Sequence, residues 1–282
     1  MCEFCHKHGE GKKWYLEARN YSDDLLSDAR RRKMIADFSR TTPEQAQATI
    51  GRLEQLNNLP GFVRRVVTWK AKRRMKQVHY GQVVPIEDIE RIFGFVNSIT
   101  RLACGCRAAT VGGEQRFCYG ISLSPNGGEF SKIVNDANIS FLKGPANDGL
   151  ESLSRDEAIA AFRDHEKQGL CHTVWTFLSP FIGGVCNCDR HDCLAMRSTV
   201  TYHLPVMFRA EYVSRLDEDL CNGCRSCMRV CQFGAISYSA ARQKAVIDPR
   251  MCYGCGICRA ACAKGAITLD DRASVPAAAG IW

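Results

Sequence analysis

The chain has 282 residues, 45% of them hydrophobic, a formal net charge of +8 and 17 cysteines. That length suits about two domains, and the composition is that of a globular protein rather than a disordered or fibrous one. The longest apolar stretch, Thr173 to Cys186, is interrupted by Ser179, Pro180 and a glycine pair; it falls short of the roughly 18 residues of a membrane helix, and no export signal is visible at the start, so a cytoplasmic chain without a membrane span is expected.

The sequence opens with Cys2-Glu-Phe-Cys5-His6. This is the spacing of covalent haem attachment, a chemistry of exported proteins that such a start does not suit. Cys2 and Cys5 with His6 or His8 are read instead as a metal or redox pair or as an exposed start. Gly9-Glu-Gly11-Lys-Lys13 lacks the strand and the Lys-Ser/Thr ending of a phosphate loop. From Trp14 to Cys104 the pattern is helical. Ser22 with Asp23 and Asp24 starts one helix. Thr42-Pro43 with Gln45 starts a second, Leu59-Pro60-Gly61 precedes a third, and Pro85-Ile86-Glu87-Asp88 opens a fourth that would deliver Cys104.

The positive charge is concentrated here, with 16 Lys and Arg against 7 Asp and Glu between residues 12 and 80. The densest run, Arg64-Arg65 through Lys70, Lys72, Arg73, Arg74 and Lys76, is interleaved with Phe62, Val63, Val66, Val67 and Trp69. It reads as a basic amphipathic helix, either a solvated face or a docking surface. Among partners an acidic redox protein comes first, because electrostatic steering suits transient electron transfer; a membrane surface follows, and nucleic acid has no supporting motif.

The middle of the chain carries Cys104-Gly-Cys106, Cys118, Cys186-Asn-Cys188 and Cys193. A C-x-C pair in a tight turn can aim two sulfurs at one metal, and close-spaced thiols in an intracellular chain usually hold metal. These six are candidate ligands of a third site, an iron-sulfur cluster in the first reading, zinc or free buried thiols in the others, with the four ligands left open. Residues 112 to 147, rich in glycine and asparagine, read as short strands and turns. Ser154 with Glu157 forms a capping box for a helix whose apolar positions are Ala158, Ile159, Ala161 and Phe162, and which ends at Gly169. An extended apolar run follows, in which His172 is either structural or a ligand or proton donor, and Cys171 is read as packing.

Two runs of one spacing, Cys221-x2-Cys224-x2-Cys227-x3-Cys231 and Cys252-x2-Cys255-x2-Cys258-x3-Cys262, repeat with a period of 31 residues. Structural zinc prefers paired C-x2-C hooks across a longer loop, whereas such a run lets three sulfurs grip one 4Fe-4S cube while the fourth reaches the other. Cys221, Cys224, Cys227 and Cys262 are therefore assigned to one cluster, and Cys252, Cys255, Cys258 and Cys231 to a second.

Through these cysteines and the matching ends Cys231-Gln-Phe-Gly-Ala-Ile236 and Cys262-Ala-Lys-Gly-Ala-Ile267, residues 209 to 272 resemble the bacterial two-cluster ferredoxins. The resemblance implies a small fold of two short hairpins and two short helices. A proline usually follows the fourth cysteine in that family; Gln232 and Ala263 stand there in this chain.

The expected fold class is α+β: a basic, mainly helical region at 1–103, a mixed cysteine-rich domain at 104–208, a ferredoxin-like domain at 209–272 and a tail at 273–282. The expected function is electron transfer within an anaerobic redox system, as a component of an oxidoreductase more than as a stand-alone enzyme. A reductase with a substrate-binding central cluster is the alternative, and a redox-sensing or structural adaptor is the third reading.

Overall fold

The computed structural model describes residues 13–41, 43–112, 114–136 and 150–281. Cys2, Cys5, His6, His8, Thr42, Gly113, the run from Lys143 to Asn147 and Trp282 lie outside the described residues. The fold is α+β.

Three short 3-10 turns, the last at Asp23–Ser27, lead into helices α1 (Ala29–Ser39), α2 (Pro43–Asn57) and α3 (Gly61–Val78). Ser22 does cap, accepting from the Asp24 amide at 3.2 Å, but what it caps is a 3-10 turn. The α-helix begins one turn later, where Asp28 accepts from the Arg30 amide at 2.9 Å. Strand β1 (Gly81–Val83) follows, then α4 (Ile86–Phe95) and β2 (Ser98–Leu102). The fourth helix thus stops at Phe95, and a strand delivers Cys104. Ser98-Ile-Thr-Arg-Leu102 alternates over only five residues, too few to stand out against a neighbouring helical pattern.

The middle of the chain supplies α5 (Gly105–Thr110), β3 (Cys118–Ser122), α6 (Gly128–Asp136), β4 (Glu151–Leu153), α7 (Arg155–Lys167), β5 (Cys171–Thr176), β6 (Ile182–Cys188), α8 (Leu194–Val200) and β7 (Met207–Phe208). The glycine-rich stretch therefore holds a helix, α6, as well as a strand. The capping box of α7 is formed: Glu157 donates its amide to the Ser154 hydroxyl at 3.3 Å, and its carboxylate accepts from the Ser154 amide at 2.8 Å. Gly169, at φ +81°, ends the helix in the left-handed region that favours glycine.

Strands β1 to β7 form one sheet in the order β4-β2-β3-β6-β5-β1-β7. Neighbours are antiparallel except β1 and β7. Because β1 pairs with β5 and β2 with β3 and β4, the sheet runs across position 103/104, where the sequence pattern placed a boundary. The 208/209 boundary falls between β7 and β8 (Tyr212–Leu216). Beyond it come α9 (Ser226–Val230), β9 (Ile236–Ser239), β10 (Lys244–Ile247), α10 (Ile257–Ala260) and β11 (Ile267–Asp271), with β8 paired to β11 and β9 to β10. After β11 the chain turns back, and Ala278 is fully buried against Val213, Ala235 and Cys252.

Side chains alternate across a strand, and here the alternation sorts the sheet into two chemically different faces. One face carries Tyr119, Val174, Ile182 and Val185, packed with Ile89, Ile92 and Phe93 of α4, Ala158 and Phe162 of α7, and the aromatic rings of Trp14, Tyr15 and Tyr21. The other carries Val83, Cys171, Trp175 and Cys188, covered by Met196 of α8, Met75 of α3, and Phe233, Tyr253 and Ile257 from the C-terminal unit.

Burial pushes His79, His165 and His172 each down to about 4. An unfolded histidine binds its proton near pH ~6.5. These groups therefore contribute stability in full above that pH, and the contribution is lost as pH falls from ~6.5 towards the folded value. The urea midpoint of the protein is expected to be flat from about pH 8 to 7 and to fall below about pH 6.5, with a shallower fall in His165→Gln; a midpoint unchanged down to about pH 5 contradicts this account.

Candidate functional site

The C-terminal unit is built on loops that need particular backbone shapes. Gly223 and Gly254 occupy equivalent places in the two repeats, at φ +71° and +73°. A Cβ on either would collide with a carbonyl oxygen, that of Gln243 for Gly223 and that of Tyr212 for Gly254. Only glycine lets these loops close so tightly.

Each loop, with the cysteine at the far end of the other repeat, surrounds a small space free of protein atoms. One is lined by Cys221, Cys224, Cys227 and Cys262 together with Leu216, Ala245 and Ile267. The other is lined by Cys231, Cys252, Cys255 and Cys258 with Ser214, Phe233, Tyr253 and Ile257. The structure thus brings each expected quartet to one cavity. We call the first the outer cavity and the second the inner cavity, because Cys224 is exposed whereas Cys252 and Cys258 are buried.

Hydrogen bonds to sulfur also differ. Around the inner cavity the amides of Ser214 and Gly254 each donate to Cys252 Sγ at 3.4 Å, and Ser214 Oγ lies 3.2 Å from Cys258 Sγ. Such donors stabilise negative charge on sulfur and tune the potential of a cluster bound there. At the outer cavity, which Arg225 and Lys264 also line, Cys224 Sγ meets the Ser226 amide and lies 3.6 Å from Ser226 Oγ.

The six central cysteines also converge. Cys118 and Cys186 are cross-strand partners in β3 and β6, with their sulfurs 3.2 Å apart. Cys188 lies two residues on along β6, on the same face. Cys104 and Cys106 flank the start of α5, and Cys193 precedes α8. Sulfur contacts run without a break from Cys186 through Cys118, Cys104, Cys106 and Cys193 to Cys188. Sulfurs crowded together in a buried place resist ionisation. The bond to Cys106, together with burial, pushes Cys104 up to about 12, and bonds to Cys104 and Cys186 with burial push Cys118 well up. A bound metal inverts this balance, since a coordinating thiol gives up its proton. Among the described residues no three His, Cys, Asp or Glu side chains stand at the spacing of one metal ion, and the quartets of the C-terminal unit share that property.

An ion pair ties the two C-x-C hooks together. Arg107, next to Cys106, is 3% exposed and lies over the Phe117 ring at 4.0 Å. Its Nη2 donates to Asp189 Oδ2 and, at 3.3 Å, to the Asn187 carbonyl. Asp189, next to Cys188, uses its other oxygen to accept from the His191 and Asp192 amides at 2.8 and 2.7 Å, shaping the loop to Cys193. Sequence reasoning gave neither residue a role, although opposite charges directly after each hook were a readable signal.

His172 does not join the thiols. Strand alternation turns it to the opposite face, where Nδ1 donates to Asn187 Oδ1 at 2.6 Å and the ring packs 5.1 Å from Phe162. Cys171 does join them: it is fully buried on the sulfur-bearing face, opposite Cys188 in the β5–β6 register.

A family model described as a 4Fe-4S dicluster domain matches residues 220–266. No curated protein matches the chain. The matched span contains all eight cysteines of the double run, which ties this part of the chain to iron-sulfur cluster binding and electron transfer.

Replacing Arg107 by alanine leaves Asp189 buried without its partner, a change that costs about 3–5 kcal/mol. Arg107→Ala is expected to lower the unfolding free energy by that order and to disturb the central thiols while leaving the C-terminal unit's visible absorption in place. Wild-type stability in the variant would mean that the pair does not hold the two hooks.

Proposed function

We propose that the chain is an electron-transfer protein or subunit of an anaerobic redox system, with two 4Fe-4S clusters in the C-terminal unit and a third metal-sulfur centre held by the central cysteines. The observation that carries this reading is the pair of cavities, each lined by four cysteines drawn from both repeats. Cys221, Cys224, Cys227 and Cys262 hold the outer cluster, and Cys231, Cys252, Cys255 and Cys258 the inner one. Each cluster, when bound, takes up and releases one electron. The protein's part is to fix the sulfurs, to exclude water from the inner site and to stabilise charge there through the Ser214 and Gly254 donors.

Four of Cys104, Cys106, Cys118, Cys186, Cys188 and Cys193 ligate the third centre. Either group would take four of the six thiols; an iron-sulfur cluster is preferred to zinc because, among the described residues, no three of these side chains stand at the spacing of one metal ion. The buried Arg107 offsets thiolate charge on Cys104, Cys188 and Cys193, with which it interacts. Iron, acid-labile sulfide and zinc measured per chain after anaerobic purification test this reading. About twelve irons and twelve sulfides are expected. About eight of each restrict the clusters to the C-terminal unit, and eight irons with one zinc replace the third cluster by a zinc site.

The redox partner is an acidic protein that docks on α3. This helix has no Asp or Glu, and Phe62, Val66 and Trp69 stand 75%, 51% and 59% exposed in a stripe flanked by Arg65, Lys70 and Arg73. Exposed Trp and Arg of this kind typically dominate binding at interfaces. The underside of the same helix, through Met75, packs on the sulfur-bearing core, so a partner seated on it approaches the central thiols. Electron exchange with a small acidic donor protein is expected to slow steeply between about 50 and 300 mM salt, and about tenfold in Arg65→Glu/Arg73→Glu at low salt. A rate indifferent to both removes α3 as the docking face.

A further inference from the structure

Cys171 lies between the two sulfur systems. On one side it faces Cys188 across the β5–β6 ladder. On the other it shares a packed core with Cys255, which lines the inner cavity. Its single proton has two acceptors in reach, the His172 carbonyl at 3.7 Å and Cys255 Sγ. When Cys255 is an ionised ligand it is the stronger acceptor, because hydrogen bonds to charged groups are about twice as strong as neutral ones.

A second residue fixes this meeting point. Gln232, the neighbour of Cys231, stands where the resembled ferredoxins usually carry proline. Its Nε2 donates to the Gly169 carbonyl at 2.7 Å, two residues before Cys171. Its Oε1 accepts from the Arg190 amide at 3.1 Å, two residues after Cys188. Proline has no side-chain group able to make either bond. One amide thus holds the start of β5 and the Cys188–Cys193 loop against the inner cavity. The approach is close: a Cβ on Gly169 would lie 3.5 Å from Val230 of α9. Phe233 stacks on Tyr253 at 3.9 Å beside the junction, within the core that also contains Cys171, Cys188 and Cys193.

We infer that Cys171 and Gln232 form a junction through which electrons pass between the inner cluster and the central metal-sulfur centre. Cys171 provides the sulfur contact, and Gln232 holds the two units in register. The inference rests on the central cysteines holding a redox-active centre, as proposed above. With both groups bound, Cys231, Cys252, Cys255 and Cys258 would hold the inner one and the central cysteines the other; one-electron exchange between them would form and break no bond, and Cys171 would keep its proton on its sulfur. The acidic one-electron partner protein docked on α3 would exchange that electron at the central end of the junction, beside Met75. Cys171 is a positioning residue and not a ligand.

The test uses the full chain, purified anaerobically, as wild type, Cys171→Ala, Cys171→Ser and Gln232→Leu. Iron and sulfide are counted, the clusters are titrated by EPR, and electron equilibration is followed after partial photoreduction. All four proteins are expected to hold about twelve irons. Equilibration between the inner and central centres is expected to slow about tenfold in Cys171→Ala and in Gln232→Leu, and to stay within about threefold of wild type in Cys171→Ser, which keeps a hydrogen-bond donor. The inner cluster of Cys171→Ala is expected to titrate at a more negative potential, with the outer cluster unchanged. Loss of about four irons from Cys171→Ala would make Cys171 a ligand and overturn the junction. So would wild-type equilibration and potential in both Cys171→Ala and Gln232→Leu. If the wild-type chain itself holds about eight irons and shows no central signal, what fails is the underlying reading of the central site.

Discussion

The two-residue period of a β-strand is the constraint on which the central site depends. Cys186 and Cys188 on β6, Cys171 on β5 and Cys118 on β3 point to one side of the sheet because their registers are matched: Cys118 opposite Cys186, and Cys171 opposite Cys188. A slip of one residue in either ladder would carry a sulfur to the aromatic face. The opposite face is correspondingly free of these thiols and packs as an ordinary apolar core around Phe93, Tyr119 and Phe162. The same alternation decides between neighbours in sequence. Cys171 belongs to the sulfur system, and His172 to the aromatic one.

The C-terminal unit depends on a different device, the crossing of the fourth sulfur from each repeat. Cys262 completes the outer quartet and Cys231 the inner one, so neither cavity is finished until both repeats have folded. The two glycines at positive φ, each under a carbonyl oxygen, are the local condition for this arrangement. The quartets then acquire different surroundings: Arg225, Lys264 and more solvent for the outer one, Ser214, Phe233 and the underside of the sheet for the inner one. Identical cysteine spacing is thereby given unequal burial.

Much of this was legible in the residues, and the reasons differ from place to place. The two cysteine runs could be read because their spacing is a local property of the sequence, whereas the meeting of Cys262 with the first run and Cys231 with the second joins separate repeats. The capping box at Ser154 and the breaks at Pro60 and Pro85 could be read because they are chemistry within a few residues. The fate of residues 81–102 could not. β1 and β2 are three and five residues long and become strands only by pairing with β5, β3 and β4, so the information that makes them strands lies far along the chain. The same holds for Gln232. As a departure from a family pattern it was visible, but its two partners, Gly169 and Arg190, are 63 and 42 residues away. Arg107 and Asp189 fall between these cases, since their positions beside the hooks were plain and only their mutual contact needed the fold.

The packing of Phe233, Tyr253 and Ile257 against Cys171, Trp175 and Met196 has a consequence for how the molecule comes apart. The part of the chain matched as a 4Fe-4S dicluster domain spans only residues 220–266. Here the repeat is also the floor of the sheet, and lifting it away would bare thiols and an indole ring to water. Domains that share a core of this kind lose their independence: unfolding either one removes the apolar surface on which the other rests. The C-terminal unit and the sheet are thereby coupled through one shared core.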